Sequence, residues 1–237
     1  MSIPQQELHG ALLNLALAES FACVPSPTAY SVGSVIFLPR SGTQRIELGL
    51  SENNRSADAL DELFDLLEPH FPVFRSGGLA EDGPAEESPS YGEKVQGLIL
   101  SSSYSRAIEG NTHAEANALT LLERKISQLP LDVQKRVITA TSTGEGEVTH
   151  QAVFQAILSR AWLYASMEPC SKRTSGLKSC TEAILASSLK RVYIGVQEPP
   201  DYVQCEGIHL LRQGGVKVIH IPGFEEDCLK AARRGLE

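Results

Sequence analysis

Residues 161–234 alternate short apolar runs with amphipathic segments, and that rhythm constrains the fold more than any other feature of the chain. The apolar runs at 161–165, 191–196 and 216–221 have the length and character of strands. The segments that follow them, 180–188, 203–212 and 225–234, carry apolar residues at helical spacing. Strand, helix and strand in this order imply parallel strands joined by right-handed crossovers.

The first two thirds are less regular. Residues 5–20 place Leu8, Ala11, Leu12, Leu15, Ala16 and Ala18 at roughly helical spacing. Residues 32–38 form an apolar run closed by Pro39-Arg40-Ser41-Gly42, and 44–50 reads as the second strand of a hairpin. Ser56 is placed to cap a helix whose Leu60, Leu63, Phe64 and Leu67 share one face. Residues 76–93 are rich in Gly, Pro, Ser and acid. Such a stretch buries too little apolar surface to offset its ordering entropy, so a mobile loop is expected there. Strand-like sequence resumes at 98–102, and residues 113–125 read as a helix with Leu119 and Leu122 on its buried face. Residues 127–160 read as a second insertion, with Pro130, a polar loop at 141–147 and a helix at 151–159. The expected architecture is α/β: one three-layer α/β/α domain over 1–237, with insertions at about 51–96 and 127–160. Its mixed sheet would hold about five strands, an N-terminal hairpin followed by parallel strands.

Five cysteines are too few, and odd in number, for a disulfide framework. The N-terminus lacks a basic region ahead of an apolar one, so no secretory signal is expected. Nor does an apolar run reach the length of a membrane span. A reducing compartment, cytoplasmic or also nuclear, is the expectation, and there paired cysteines more often signal metal or catalysis than a disulfide.

Two of those cysteines fall where the α/β rhythm places chemistry. Cys170 follows Met167-Glu168-Pro169 at a strand end, and Cys180 opens the next helix, with nine residues between them. Upstream, Asn111-Thr112-His113-Ala114-Glu115 opens another helix. One imidazole and two thiolates suit a tetrahedral zinc with its fourth position open. Helix N-termini favour thiolate over thiol, which assists Cys180. A fourth protein ligand would make the site structural, and Cys205 and His209 are the nearest candidates. Glu115 is expected to carry protons as the catalytic residue rather than to bind metal. Its alternative role is structural: Thr112 as N-cap and Glu115 three residues on would form a capping box.

His-x-Glu followed by Pro-Cys and a second Cys is the pattern of the zinc-dependent base deaminases. The long gap between Cys170 and Cys180 departs from most of that superfamily and resembles its riboflavin-pathway branch, in particular the fungal 2,5-diamino-6-ribitylamino-4(3H)-pyrimidinone 5′-phosphate deaminases. Thr28-Ala29-Tyr30-Ser31-Val32-Gly33, Gly110 to Glu115, Val192 to Pro199 and Ile221 to Leu229 are similar as well. The resemblance implies a cytidine-deaminase-like fold, one zinc per subunit and a homodimer. It implies hydrolysis of a small ribitylamino-pyrimidine phosphate to 5-amino-6-ribitylamino-uracil 5′-phosphate. Bacterial and yeast relatives are often fused to a reductase or a pseudouridine-synthase-like domain; 237 residues leave room for neither, so a standalone deaminase is expected. Bacterial relatives carry an Asn in the first-strand motif, where this chain has Thr28-Ala29-Tyr30.

A phosphate needs cations or clustered N–H groups. Ser171, Lys172 and Arg173 follow Cys170 at once, Lys178 precedes Cys180, and Arg106 lies upstream of His113. Asn111 is a candidate for ring or ribityl groups, and Glu198 and Asp201 for ribityl hydroxyls. Each has a plain alternative as a surface charge or turn residue. Three other readings compete: a deoxycytidylate-type deaminase, a tRNA or DNA base deaminase, and an inactive zinc-binding scaffold subunit. The net charge of −8 and the aromatic content of 6% argue against a nucleic-acid channel. The presence of Glu115 argues against the scaffold.

Overall fold

The computed structural model describes residues 3–41, 43, 55–75, 95–141, 147–173, 176–199 and 205–236. In chain order the strands are β1 (Gly33–Pro39), β2 (Val73–Arg75), β3 (Val95–Tyr104), β4 (Trp162–Met167), β5 (Arg191–Val196) and β6 (Lys217–His220). They form one sheet in the order β2-β3-β1-β4-β5-β6. Every residue of β1 is buried, as expected of a central strand covered on both faces. It runs antiparallel between β3 and β4, while β4, β5 and β6 are parallel. β3 and β4 therefore point the same way, and their C-terminal ends gather with that of β5 on one edge of the sheet. The segment leading into β1 starts from the same edge.

Eight α-helices lie among the described residues. On one face α1 (Ile3–Ala22) and α8 (Glu225–Ala232) touch each other and the sheet. Leu12, Leu13 and Ala16 of α1 pack there on Val35, Phe37, Trp162, Tyr164 and Tyr193. Gly33 is needed where α1 crosses the start of β1, because a Cβ there would strike the Ala16 carbonyl. On this face His9 is buried, stacked on Tyr193 and with its Nδ1 2.7 Å from the Tyr164 hydroxyl.

The other face carries α2 (Arg55–Leu67), α3 (Ala114–Ser127), α4 (Leu131–Thr141), α5 (His150–Leu158), α6 (Cys180–Ala186) and α7 (Gly207–Gln213). Leu60, Leu63 and Phe64 of α2 join Val137 of α4, Val153 and Ile157 of α5 and Leu122 of α3 in one cluster over Ile36, Leu163 and Val192. Burying each such side chain contributes about 1.5–3 kcal/mol. The parts of 51–96 and 127–160 that form α2, α4 and α5 thus complete this side of the core.

The α/β/α layering is as expected, with three differences. The sheet has six strands, not about five, because three-residue β2 adds an edge too short to show a period. The antiparallel partners of β1 are β3 and β4, with no adjacent hairpin strand among the described residues; the expected strand at 44–50 lies outside them, as does the loop expected at 76–93. Helix α4 fills a region read only as insertion. No helix among the described residues is long and apolar enough to cross a membrane.

Candidate functional site

Three element ends bring His113, Cys170 and Cys180 together. β3 ends at Tyr104, and the chain turns through 105–112 to His113, the N-cap of α3. β4 ends at Met167, three residues before Cys170. Ser179 caps α6, with a capping box completed by Glu182, and so fixes Cys180 as its first residue. The Cys170 and Cys180 sulfurs lie 3.3 and 3.4 Å from His113 Nδ1. All three donor atoms fall within 4.8 Å of one another. Metal–ligand distances near 2.0 Å for nitrogen and 2.3 Å for sulfur put donors around one tetrahedral ion roughly 3.5 Å apart. The donor set fits a soft divalent cation, and no fourth protein donor belongs to it among the described residues. Cys205 turns its thiol to the Pro169 carbonyl at 3.8 Å, outside the cluster.

Glu115 lies in the first turn of α3, 3% exposed, and its Oε2 accepts from Cys180 Sγ at 3.2 Å. The capping box expected for it does not form. His113, not Thr112, is the N-cap, and no side chain caps the helix. The Thr112 hydroxyl instead donates to the Ile108 carbonyl at 2.7 Å and accepts from Asn117 Nδ2 at 3.0 Å. This frees Glu115 from a structural task at the helix start.

The electrostatics follow from burying these groups together. Burial, assisted by the Cys170 thiolate, pushes the Glu115 carboxyl up to about 7. The hydrogen bond from Cys180 draws Cys170 down to about 4, and the same bond, with burial, pushes Cys180 well up. One proton is thus shared between the two thiols, and a divalent cation between them would hold both as thiolates. Burial works to lower the His113 imidazole, but the hydrogen bond to Cys170 together with the charges of Cys170 and Glu115 outweighs this, and the net direction is upward.

The cluster floors a cleft at the sheet edge, walled by Thr28, Ala29, Tyr30, Arg106, Asn111, Glu168, Lys172, Arg173 and Glu198. Of the expected substrate residues, Asn111, Lys172, Arg173, Glu198 and Arg106 all reach it. Arg173 donates to the Asn111 carbonyl across the rim. Burial raises the Glu198 carboxyl above the ordinary carboxylate range. Ser171 and Lys178 do not line the cleft. The Ser171 hydroxyl accepts from Glu206 N at 3.1 Å, and Lys178 is exposed, near Glu182. Asp201 lies outside the described residues.

Two positioning residues were not singled out from sequence. Asn117 is buried and bonds the Tyr104 carbonyl at 2.9 Å as well as Thr112, bracing the turn that delivers His113. Glu168, 8% exposed, accepts from Ile208 N at 2.9 Å and Glu198 N at 3.3 Å. It ties α7 and the loop after β5 to the strand end that carries Cys170. Gly207 permits this docking, since a Cβ there would strike the Pro169 carbonyl. The only sequence signal was the place of each residue beside the metal motif. Glu168→Ala would leave two backbone donors without their acceptor. The expected loss is about 1–3 kcal/mol, read from the urea midpoint of the metal-loaded chain.

A mixed six-stranded sheet, with a His-Cys-Cys donor set at three element ends and a buried carboxylate beside it, makes an α/β scaffold whose site could hold a metal ion. Several known proteins resemble it. Over 139 residues, 59% of this chain, it is 37% identical to the diaminohydroxyphosphoribosylamino-pyrimidine deaminase of Schizosaccharomyces pombe. Over 92 residues, 36% of the chain, it is 34% identical to the riboflavin biosynthesis protein RibD of Bacillus amyloliquefaciens. The matches span only 28% and 24% of those relatives' lengths. No family model matches the chain. The fold is that of the Aspergillus oryzae Rib2 deaminase, solved as a C-terminal deletion mutant, with a TM-score of 0.53 at 20% identity over 97% of this chain and 92% of that one. The same deaminase in complex with DARIPP matches with a TM-score of 0.51, again at 20% identity over 97% and 92% of the two chains. The resemblance read from the motifs is therefore borne out by sequence similarity and by fold.

Proposed function

We propose that the chain is a zinc-dependent hydrolytic deaminase of riboflavin biosynthesis. In this reading it converts 2,5-diamino-6-ribitylamino-4(3H)-pyrimidinone 5′-phosphate to 5-amino-6-ribitylamino-uracil 5′-phosphate. The observation that carries it is Glu115, buried against Cys180 at the floor of a cleft with cations on its rim. Support also comes from the S. pombe relative, whose name describes a pyrimidine deaminase, and from the A. oryzae neighbour solved with DARIPP.

His113, Cys170 and Cys180 would hold the zinc, which when bound supplies a water acidic enough to lose a proton near neutral pH. Glu115 accepts that proton at a carboxylate oxygen and delivers it to the ring nitrogen beside the reacting carbon. The water oxygen bonds to that carbon as the ring nitrogen takes the proton, and the carbon–amine bond breaks only afterwards, as the added hydroxyl gives up its own proton. Glu115 then carries the second proton to the departing nitrogen, which leaves as ammonia. A carboxyl held at about 7 suits both directions of transfer at neutral pH. Lys172 and Arg173 at the rim orient the phosphate through charge-assisted hydrogen bonds. Asn111 and Glu198 face the ring and ribityl groups.

A side-by-side assay tests this. It offers the ribitylamino-pyrimidine phosphate, its dephosphorylated form, deoxycytidylate and a single-stranded oligonucleotide. Turnover of the first is expected, with a large loss when the phosphate is removed. Lys172→Ala or Arg173→Ala should weaken the phosphorylated substrate by roughly ten- to a hundredfold, the worth of a charged hydrogen bond, and the dephosphorylated one far less. Turnover of deoxycytidylate or the oligonucleotide in place of the ribityl compound would leave a deaminase site but end the substrate assignment.

A further inference from the structure

Arg106 lines the cleft, and its guanidinium makes three hydrogen bonds to the protein. Its Nη1 donates to the Tyr30 carbonyl at 3.1 Å. Its Nη2 donates to the Val24 carbonyl at 2.8 Å and the Ser31 hydroxyl at 3.2 Å. These partners stand 75–82 residues away in sequence. At the same time Arg106 N donates to the Thr112 carbonyl at 2.7 Å, inside the turn that delivers His113. Its backbone is left-handed, with φ of 67°, a conformation that costs a non-glycine residue energy and persists only where surrounding contacts over-determine it.

Other contacts reach the same segment: Thr28 N donates to the Ser26 hydroxyl at 3.3 Å, and Gly235 lies close against Pro25 and Ser26. Strand pairing of β1 begins only at Gly33. Just ahead of it, Ser31 N donates to the Ala232 carbonyl at 2.9 Å and Val32 N to the Ser105 hydroxyl at 3.1 Å. Thr28, Ala29 and Tyr30, farther out, form one wall of the cleft.

We infer that Arg106 is a positioning residue: its guanidinium straps residues 24–31 to the turn carrying His113 and so sets the cleft wall made by Thr28, Ala29 and Tyr30. The inference rests on the proposed deaminase reading for its kinetic consequence, and it assigns Arg106 a role other than the phosphate contact expected from sequence. The planar fork of arginine serves several acceptors at fixed angles, and lysine, a point charge on a flexible stem, does not. Glycine suits the left-handed backbone but supplies no strap.

The test compares Arg106→Lys and Arg106→Gly with the wild-type chain, all metal-loaded. It measures kcat and KM on the phosphorylated and dephosphorylated ribityl compounds, together with amide hydrogen exchange of residues 24–32. Both variants should lose at least tenfold in kcat/KM, by a similar factor on both compounds, with faster exchange across 24–32 and metal content retained. A loss confined to the phosphorylated compound, full activity in Arg106→Lys, or unchanged exchange in both variants overturns the inference. If the wild-type chain deaminates neither compound, the functional reading has failed by itself, and the exchange measurement alone decides whether the strap exists.

Discussion

Glu115→Gln is expected to lower kcat by roughly 10² to 10⁴-fold, the range of a general acid–base step, while the chain stays folded and keeps its metal. The amide is close to isosteric, so the α3 side chain still fills the space beside Cys180. What it loses is the ability to accept a proton from water and release it to the ring and the amine. From sequence alone this experiment was ambiguous, because a capping role for Glu115 would have confounded lost catalysis with lost stability. The structure removes the ambiguity: α3 starts at an N-cap with no side-chain hydrogen bond, and the Glu115 carboxylate accepts from Cys180 and from its own backbone N–H. The thermal midpoint should therefore move little. The assay is single-turnover ammonia release, with metal content measured on the same sample. Near-normal turnover in the variant would assign the proton transfers to another group.

Cys180→Ser should have the largest effect on the metal itself. The substitution replaces a soft thiolate with a neutral hydroxyl in a set that has only three protein donors. The wild-type chain should carry about one zinc, as a three-ligand catalytic site does, and the variant close to none. Deamination should vanish with it. The helix itself should survive, because its start is fixed by Ser179 and Glu182 and not by the Cys180 side chain. Loss of bound metal also lowers stability, since an ion that binds only the folded chain contributes about 4 kcal/mol at a thousandfold excess over Kd. A chelator-stripped wild type should reproduce the same fall in thermal midpoint and regain it on zinc addition, whereas the variant should not respond. Full metal content in Cys180→Ser would show that the ion sits elsewhere.

The parallel half of the sheet was legible because its evidence is local. A five- or six-residue apolar run followed by a helical period can be read within one window, and β4 to β6 with α6 to α8 fell close to their expected places. The proposed metal ligands were legible for a related reason. His113, Cys170 and Cys180 each stand at an element boundary that the periodicity also marks, and their residue types admit few other chemistries. The antiparallel half was harder. β2 is only three residues long, and the place of β1 between β3 and β4 depends on pairings 58 to 131 residues apart in the chain, from Pro39 with Gly97 to Ser34 with Ala165, that no window spans.

The roles of individual polar side chains divided along the same line. The sequence by itself determined the donor set, the carboxylate beside it and the alternation that brings strand ends to one edge, because residue type and short-range period specify these. It could not determine where Arg106, Ser171, Glu168 and Thr112 spend their hydrogen bonds. Nearness in sequence to a proposed metal ligand made Arg106 and Ser171 substrate candidates, and the spacing to Glu115 made Thr112 a cap. In the folded chain Arg106 holds Val24, Tyr30 and Ser31, Ser171 meets Glu206, Glu168 gathers two distant backbone amides, and Thr112 turns back to Ile108. Buried or half-buried polar groups must find partners, and which partner lies within 3 Å is decided by how the layers pack, not by the residues next to them in the chain.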